Sequence, residues 1–378
     1  MPKSTDPKVM RVASCSRRSA WIIVSAITGL AVLGAQAQGK AQRYPDGRPA
    51  AIMRMNALDY GPVLQYGDCP DHCDRYGARD VWVFHSDKTF YMHYDAAGPK
   101  GWLVALATSK DMTHWTKRGT VLALGSTGSE DARSASYGTT YFDGHTWHMF
   151  YLGTPNVTPP PDRIPMFPYL TLKATALAPT GPWIKQSEVT PFRPVPNTYY
   201  SATASPGQII RRNGEYLQFF SAATDVPIKR TISIARTNDL NGRWVVDPAP
   251  IVPAGEQIEN TSLYFERTIQ TWFLFTNHIG LDKDGEYTDA IWVYWTKDLN
   301  HWNARNKAVV LDRSNSIGSK RCIGLPSVVR FHKKLAIFYD SPGGESTSHM
   351  QRSIGLAWLN LPLRIPDTDD EKEVAGGN

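Results

Sequence analysis

From Asp80 onward, short apolar and aromatic-rich runs alternate with polar turns, and the same pattern returns five times. The copies are DVWVFHSDKTFYMHY (Asp80–Tyr94), YGTTYFDGHTWHMFY (Tyr137–Tyr151), SPGQIIRRNGEYLQF (Ser205–Phe219), SLYFERTIQTWFLF (Ser262–Phe275) and LPSVVRFHKKLAIFY (Leu325–Tyr339). Runs of Val, Ile, Phe, Tyr and Trp bounded by Asp-Gly, Asn-Gly or Ser-Asp specify adjacent antiparallel strands joined by tight turns. Helical spacing is absent from these windows.

Each copy is followed by a further strand that closes on a polar turn. Four of these end in tryptophan: ATSKDMTHW at Trp115, KATALAPTGPW at Trp183, ARTNDLNGRW at Trp244 and YWTKDLNHW at Trp302, while GLAWLNLPL (Gly355–Leu363) ends the series. The tryptophans are 68, 61 and 58 residues apart, an interval that suits one four-stranded antiparallel sheet with its loops. The expected fold is therefore all-β, a five-bladed β-propeller of four-stranded antiparallel blades. The tryptophans are expected to pack between neighbouring blades. The segment from Gln38 to about Leu64 should add a strand that helps close the ring against the last blade.

The ends of the chain read differently. Basic Lys3, Lys8, Arg11, Arg17 and Arg18 precede an apolar run, Ala20 to Gly34, and then the small-x-small pattern Ala35-Gln36-Ala37, so residues 1–37 read as a signal peptide. Export to the periplasm or the medium is expected, with no stable membrane insertion after cleavage, because no later run approaches the roughly 20 apolar residues of a span. Residues 38–365 form the propeller, and 366–378 (PDTDDEKEVAGGN) read as a disordered acidic tail. Removing the leader takes away five basic residues and one acid, which lowers the formal charge from +6 to about +2. No basic run interleaved with aromatics remains, so nucleic acid is not an expected partner.

Three cysteines follow the leader. Cys69 and Cys73, in GDCPDHCD, are read as a disulfide, as free thiols or, with His72 and the neighbouring aspartates, as a metal site; Cys322 is an odd, buried thiol.

In a blade whose first strand is innermost, that strand starts at the face where the second strand ends. Segments entering the first strands and leaving the second strands therefore rim one mouth of a central funnel. The entering segments carry Arg79-Asp80, Glu130-Asp131, Tyr199-Tyr200, Glu256 with Glu259, and Lys320-Arg321; the leaving segments carry Asp95, Asp225, His278, Asp340 and His349. Carboxylates with a few Arg and His residues and aromatic faces are what a carbohydrate site needs. Asp80 begins an innermost strand and aims a carboxylate into the funnel, opposite Tyr137, Ser205, Ser262 and Leu325 of the other copies. Glu259 precedes an apolar strand, a partly dry setting suited to a raised pKa. Asp131 is a third candidate acid. Arg79, Trp82, Asp95, Tyr137, His278 and Arg321 are candidate sugar contacts.

With ARDVWVF (Ala78–Phe84), HTWHMFY (His145–Tyr151) and the T-x-D-L-x-x-W turns, the chain from Asn56 to Leu363 resembles the five-bladed propeller glycoside hydrolases of families 32, 43, 117 and 130. The Ala-Arg-Asp step resembles the segment that carries the catalytic aspartate of family 43, which implies that Asp80 is a general base, or the nucleophile of a retaining enzyme. The chain departs from family 43 at Thr139 and Ala204, where that family places an aspartate and its acid glutamate. The acid must then come from elsewhere, from Glu259, Asp131 or, as the histidine of family 117 suggests, His278.

The resulting expectation is an exported glycoside hydrolase, exo-acting on an oligosaccharide or polysaccharide, with Asp80 as base and Glu259 as acid in an inverting mechanism. The alternatives are a glycan-binding propeller without catalysis and a glycoside phosphorylase. HExxH, GxGxxG, Walker and GxSxG motifs are absent, and no cofactor or metal is called for.

Overall fold

The computed structural model of the chain describes residues 43–366, with 45, 46, 190 and 284 excepted. The leader expected at 1–37 and the tail beyond Pro366 lie outside the described residues. Those described are all-β; their one helical turn is the 3-10 segment Pro70–His72.

Strands β1 (Met53–Arg54) and β2 (Leu58–Leu64) precede a first antiparallel unit of β3 (Gly77–Ser86), β4 (Thr89–Gly98), β5 (Gly101–Ser109) and β6 (Thr116–Thr120). The second unit is β7 (Ser134–Phe142), β8 (Trp147–Thr154), β9 (Leu170–Ala176) and β10 (Ile184–Lys185). A short parallel pairing, Trp102↔Ser134 and Leu103↔Ala135, joins these two units into one eight-stranded sheet. In the third, β11 (Thr203–Ser205) and β12 (Ile209–Arg212) share the partner β13 (Glu215–Ala223), followed by β14 (Arg230–Thr237) and β15 (Val245–Val246). The fourth is β16 (Ile258–Glu266), β17 (Thr271–Asp282), β18 (Gly285–Thr296) and β19 (Lys307–Leu311), with β1 added parallel to β19. The fifth is β20 (Gly324–Phe331), β21 (Lys334–Ser341) and β22 (Ser353–Asn360), completed by β2 from the other end of the chain.

Turn chemistry explains the hairpins within the units. Asp87–Lys88 and Asn213–Gly214 each supply two successive positive φ angles, which matches the turn's twist to that of the strands. The second strands are buried on both faces, as in β8, where every residue is buried. This explains why they read as continuous rather than alternating apolar runs.

The core lies between units. Each of its five clusters joins two successive units: Val104 with Met149, Phe150 with Phe220, Ile232 with Leu274, Phe275 with Ile337, and finally Phe338 of the fifth with Met92 of the first. The repeated tryptophans stand in these seams. Trp115, Trp183, Trp244 and Trp302 meet Phe338, His93, Phe150 and Phe219 of the preceding unit edge-on, at 5.7, 5.7, 5.6 and 6.2 Å. Phe150 is fully buried in its seam. Phe150→Ala should therefore cost about 3–5 kcal/mol, read as a lower denaturation midpoint with an unchanged slope.

Of the three readings of the paired cysteines, the structure has the disulfide Cys69–Cys73, with Cα atoms 5.4 Å apart. Cys322 is free and buried.

Candidate active site

The innermost strands break at equivalent places. Pairing skips from Arg79 to Trp82, from Ser136 to Gly138, from Glu259 to Ser262 and from Gly324 to Ser327, and the third unit is interrupted between Ser205 and Ile209. The residue just after the last paired one has a positive φ in four units: Asp80 (48°), Tyr137 (41°), Asn260 (58°) and Leu325 (53°). In the third it is Pro206, whose ring excludes that conformation. Such bulges unpair a residue and re-aim its side chain. Here they turn Asp80, Tyr137, Asn260 and Leu325 into one central cavity of about 110 Å³.

This register corrects the alignment drawn from the apolar pattern. Pro206 and Asn260, not Ser205 and Ser262, are the counterparts of Asp80. Glu259 lies within β16, at the position of Arg79, and not in a loop entering the strand. An unpaired bulge residue leaves no mark in hydrophobic periodicity, so the pattern alone slips by one or two residues there.

The cavity gathers Arg79, Asp80, Asp95, Tyr137 and Glu259 with Trp102, Tyr169, Arg230 and His349. Arg79 is the hub of one side. Its Nε donates to Asp80 Oδ1 at 3.1 Å, its Nη1 donates to His349 Nδ1 at 2.7 Å, and its guanidinium lies 5.3 Å from the Trp102 ring centre. Because His349 Nδ1 accepts, the neutral ring carries its hydrogen on Nε2. Burial and the charges of Arg79, Arg352 and Arg230 keep it neutral, with the pKa lowered to about 3.

Two carboxyls sit together below Arg79. Burial raises the Asp80 pKa to about 6; Arg79 opposes the rise, and the charges of Asp340 and Glu259 add to it. Asp95 is pushed well above the ordinary carboxylate range, by burial first and then by Asp80. Asp95 Oδ1 accepts from the backbone N–H of Tyr137. Of two close buried acids, one keeps its proton. On the other side, Glu259 Oε2 accepts from Arg230 Nη1 at 2.5 Å, and Arg230 also donates from Nε and Nη2 to Glu286 at 3.0 and 2.9 Å. One guanidinium thus faces two carboxylates. Burial holds the Tyr137 phenol far above its usual range, so it remains an O–H donor.

The other sequence candidates stand apart from this cavity. Trp82 is buried and donates from Nε1 to Thr140 Oγ1 at 3.0 Å. Asp131 accepts from Tyr151 Oη and Ser129 Oγ, both at 2.9 Å, and pairs with Lys185; these bonds hold its pKa low against burial. His278 is buried flat on Trp292, 3.9 Å between ring centres, with Nδ1 2.7 Å from Asp289 Oδ1. Arg321 is paired with Asp282 at 2.8 Å. Thr139 donates to Gly207 O at 3.1 Å and Ala204 is fully buried, so neither departure from family 43 faces the cavity. Trp102, Tyr169 and Arg230 were not singled out from the sequence. One signal existed for Arg230: third strands begin at the mouth where second strands end, and Arg230 begins β14.

No family model matches the chain, and no curated protein matches it in sequence. Solved structures do share its fold. A protein described as a glycoside hydrolase superposes with a TM-score of 0.63 at 14% identity, covering 84% of this chain and 96% of its own. The catalytic domain of a family 62 α-L-arabinofuranosidase from Coprinopsis cinerea gives 0.58 at 12%, over 81% and 97%. A family 117 glycoside hydrolase from the marine bacterium Zobellia galactanivorans gives 0.55 at 13%, over 86% and 100%.

Proposed function

We propose that the chain is a glycoside hydrolase built as a five-bladed β-propeller, which releases the terminal residue of an oligosaccharide with inversion. Asp80 is the general base that activates water, and Glu259 the general acid that protonates the leaving oxygen. The observation that carries this reading is the placement of Asp80 and Glu259, from different units, in one cavity, each beside its own arginine. The shared fold with glycoside hydrolases supports it.

The surroundings suit the two roles. Asp80 keeps a hydrogen bond from Arg79, which orients the carboxylate toward water, while Asp95 holds the extra proton of the pair. Glu259 shares Arg230 with Glu286, which holds its carboxyl at the cavity wall. Trp102 and Tyr169 supply ring faces, and Tyr137 Oη–H and His349 Nε2–H supply donors for sugar hydroxyls. The cavity of about 110 Å³ is small beside the roughly 300–1,000 Å³ of pockets that enclose larger ligands, which suits one chain end.

Incubation with plant, algal and bacterial oligosaccharides tests the reading: release of a monosaccharide, with inverted anomeric configuration at first appearance by proton NMR, is expected. Release of phosphorylated sugar only in phosphate buffer, or binding without cleavage across the panel, would refute it. The base also sets a pH dependence. With the Asp80 pKa raised to about 6, the active carboxylate is lost as pH falls through that value. The profile of kcat/KM should show an acid limb near pH 6; a limb near the ordinary carboxylate value of about 4 would exclude a buried Asp80 as base. Export is part of the proposal, and mature protein from its host should begin near Gln38; N-terminal sequencing that returns Met1 would contradict it.

A further inference from the structure

We propose that Asp340 is the positioning residue of the site: it takes the bulge N–H of Asp80 across the seam between the fifth and first units, and thereby sets where the Asp80 carboxyl points. The inference rests on the reading of Asp80 as base for its effect on turnover, and on geometry alone for its effect on Asp80 itself.

The geometry is specific. The Asp80 backbone N–H donates to Asp340 Oδ2 at 2.9 Å. The other oxygen of Asp340, Oδ1, accepts from Arg352 Nη1. Arg352 in turn donates to Cys322 Sγ at 2.6 Å and, from Nε, to Ser348 O at 2.9 Å. Asp340 and Arg352 are both buried to within about one per cent. A buried ion pair of this kind is a costly element that loses its balance when one partner is removed. Its remaining acceptor is spent on a single backbone N–H, that of Asp80.

The same device recurs around the ring. Before each bulge, the last paired residue of the first strand has a cross-strand partner on the second: Arg79↔Asp95, Ser136↔Leu152, Ser205↔Ser221, Glu259↔Asn277 and Gly324↔Asp340. Three of these partners reach over to a bulge N–H in the next unit. Asp95 serves Tyr137, Ser221 Oγ serves Asn260 at 2.7 Å, and Asp340 serves Asp80. Where the next bulge position is Pro206, which has no N–H, the partner is the apolar Leu152. Acceptor and donor therefore match at four of the five steps; at the fifth, from Asn277 toward Leu325, the buried Asn277 Oδ1 has no hydrogen-bond partner among the described residues. Serine suffices as acceptor at Asn260, so a buried aspartate with its own arginine at Asp80 is more than the fold requires.

The charge has a second consequence, because Asp340 is one of the groups that raise the Asp80 pKa. Asp80 also faces Arg79 and Asp95 of its own unit and Tyr137 of the next. Glu259 with Arg230 lies opposite, and His349 is neutral.

Two variants and one measurement on the unaltered protein test this. Asp340→Asn keeps an acceptor oxygen and removes the charge; Asp340→Ala removes both. With carbon-13 labelled aspartate carboxyls, and Asp80 assigned by its loss in Asp80→Asn, the Asp80 midpoint should fall by on the order of one pH unit in Asp340→Asn. On a cleaved oligosaccharide, Asp340→Ala should lower kcat by on the order of 10–100-fold with KM nearly unchanged, and Asp340→Asn should recover most of it. In the wild type, the Asp80 amide proton should exchange slowly with solvent deuterium. Fast exchange at Asp80, an unmoved midpoint in Asp340→Asn, or equal kcat losses in both variants would overturn the proposal. The exchange and titration arms need neither substrate nor activity, and the exchange arm needs no variant. If no glycan is cleaved, they still decide the role of Asp340 while the glycosidase reading fails separately.

Discussion

Asp80→Asn is expected to lower turnover by on the order of 10²–10⁴-fold without disturbing the fold. The substitution is isosteric, and the amide oxygen still accepts from Arg79 Nε, 3.1 Å away in the wild type. What is lost is the negative charge and the lone pair that takes a proton from water in the proposed mechanism. KM should change little, because in the proposed reading the sugar hydroxyls are met by Tyr137 and His349 and the ring faces by Trp102 and Tyr169. The variant should also be the more stable protein at neutral pH, and the sign follows from linkage. The Asp80 pKa is raised from 3.8 to about 6 in the folded state. Its contribution to stability is therefore fully present below the unfolded pKa and is lost as pH rises through about 6. At about pH 8 the wild type carries a buried, repelled carboxylate and the variant does not, so the variant should melt higher; at about pH 4 the difference should shrink. A variant with wild-type turnover would remove Asp80 from the mechanism, whatever its melting temperature.

Glu259→Gln is expected to discriminate between leaving groups. On an oligosaccharide that the wild type is found to cleave, whose leaving oxygen must be protonated, kcat/KM should fall by on the order of 10²–10⁴-fold. On an aryl glycoside of the same sugar, whose phenolate departs unaided, the loss should be several-fold at most. The fold is protected because Arg230 keeps two hydrogen bonds to Glu286 when Glu259 is replaced. Steady-state kinetics on both substrates decide the matter. Equal losses on both substrates would give Glu259 a binding role. A silent substitution would remove it as the acid, and among the candidates it would return Asp131 and His278, both of which now lie outside the cavity.

The positions of those last two residues show where reading the chain reached its limit. Asp131 and Glu259 are both acids near the start of a first strand, and the apolar run after Glu259 is the one local difference between them. The structure separates them: Asp131 is tied down by Lys185, Tyr151 and Ser129, whereas Glu259 faces the central cavity beside Arg230. His278 lies within β17 much as Asp95 lies within β4, but its ring is turned onto Trp292.

By itself the sequence determined the repeat. The recurring aromatic strand pairs, their Asn-Gly and Asp-Lys turns and the tryptophans that end four of the copies are local signals, written in contiguous residues, and they dictated five antiparallel units with those tryptophans in the seams between them. They also placed Asp80, Asp95 and Tyr137 at one end of those units, because strand direction alone settles which loops share a mouth. Only the tertiary structure decided which atoms of that mouth converge. A bulge shifts pairing by one residue and reverses the sign of φ without changing residue type, so the counterparts of Asp80 were invisible in the apolar pattern. Arg230, His349 and Asp340 reach the site from the third and fifth units, 150 residues or more away in the chain from Asp80. Their partnerships with Glu259, Arg79 and the Asp80 backbone depend on how the units pack against one another, which no local signal encodes.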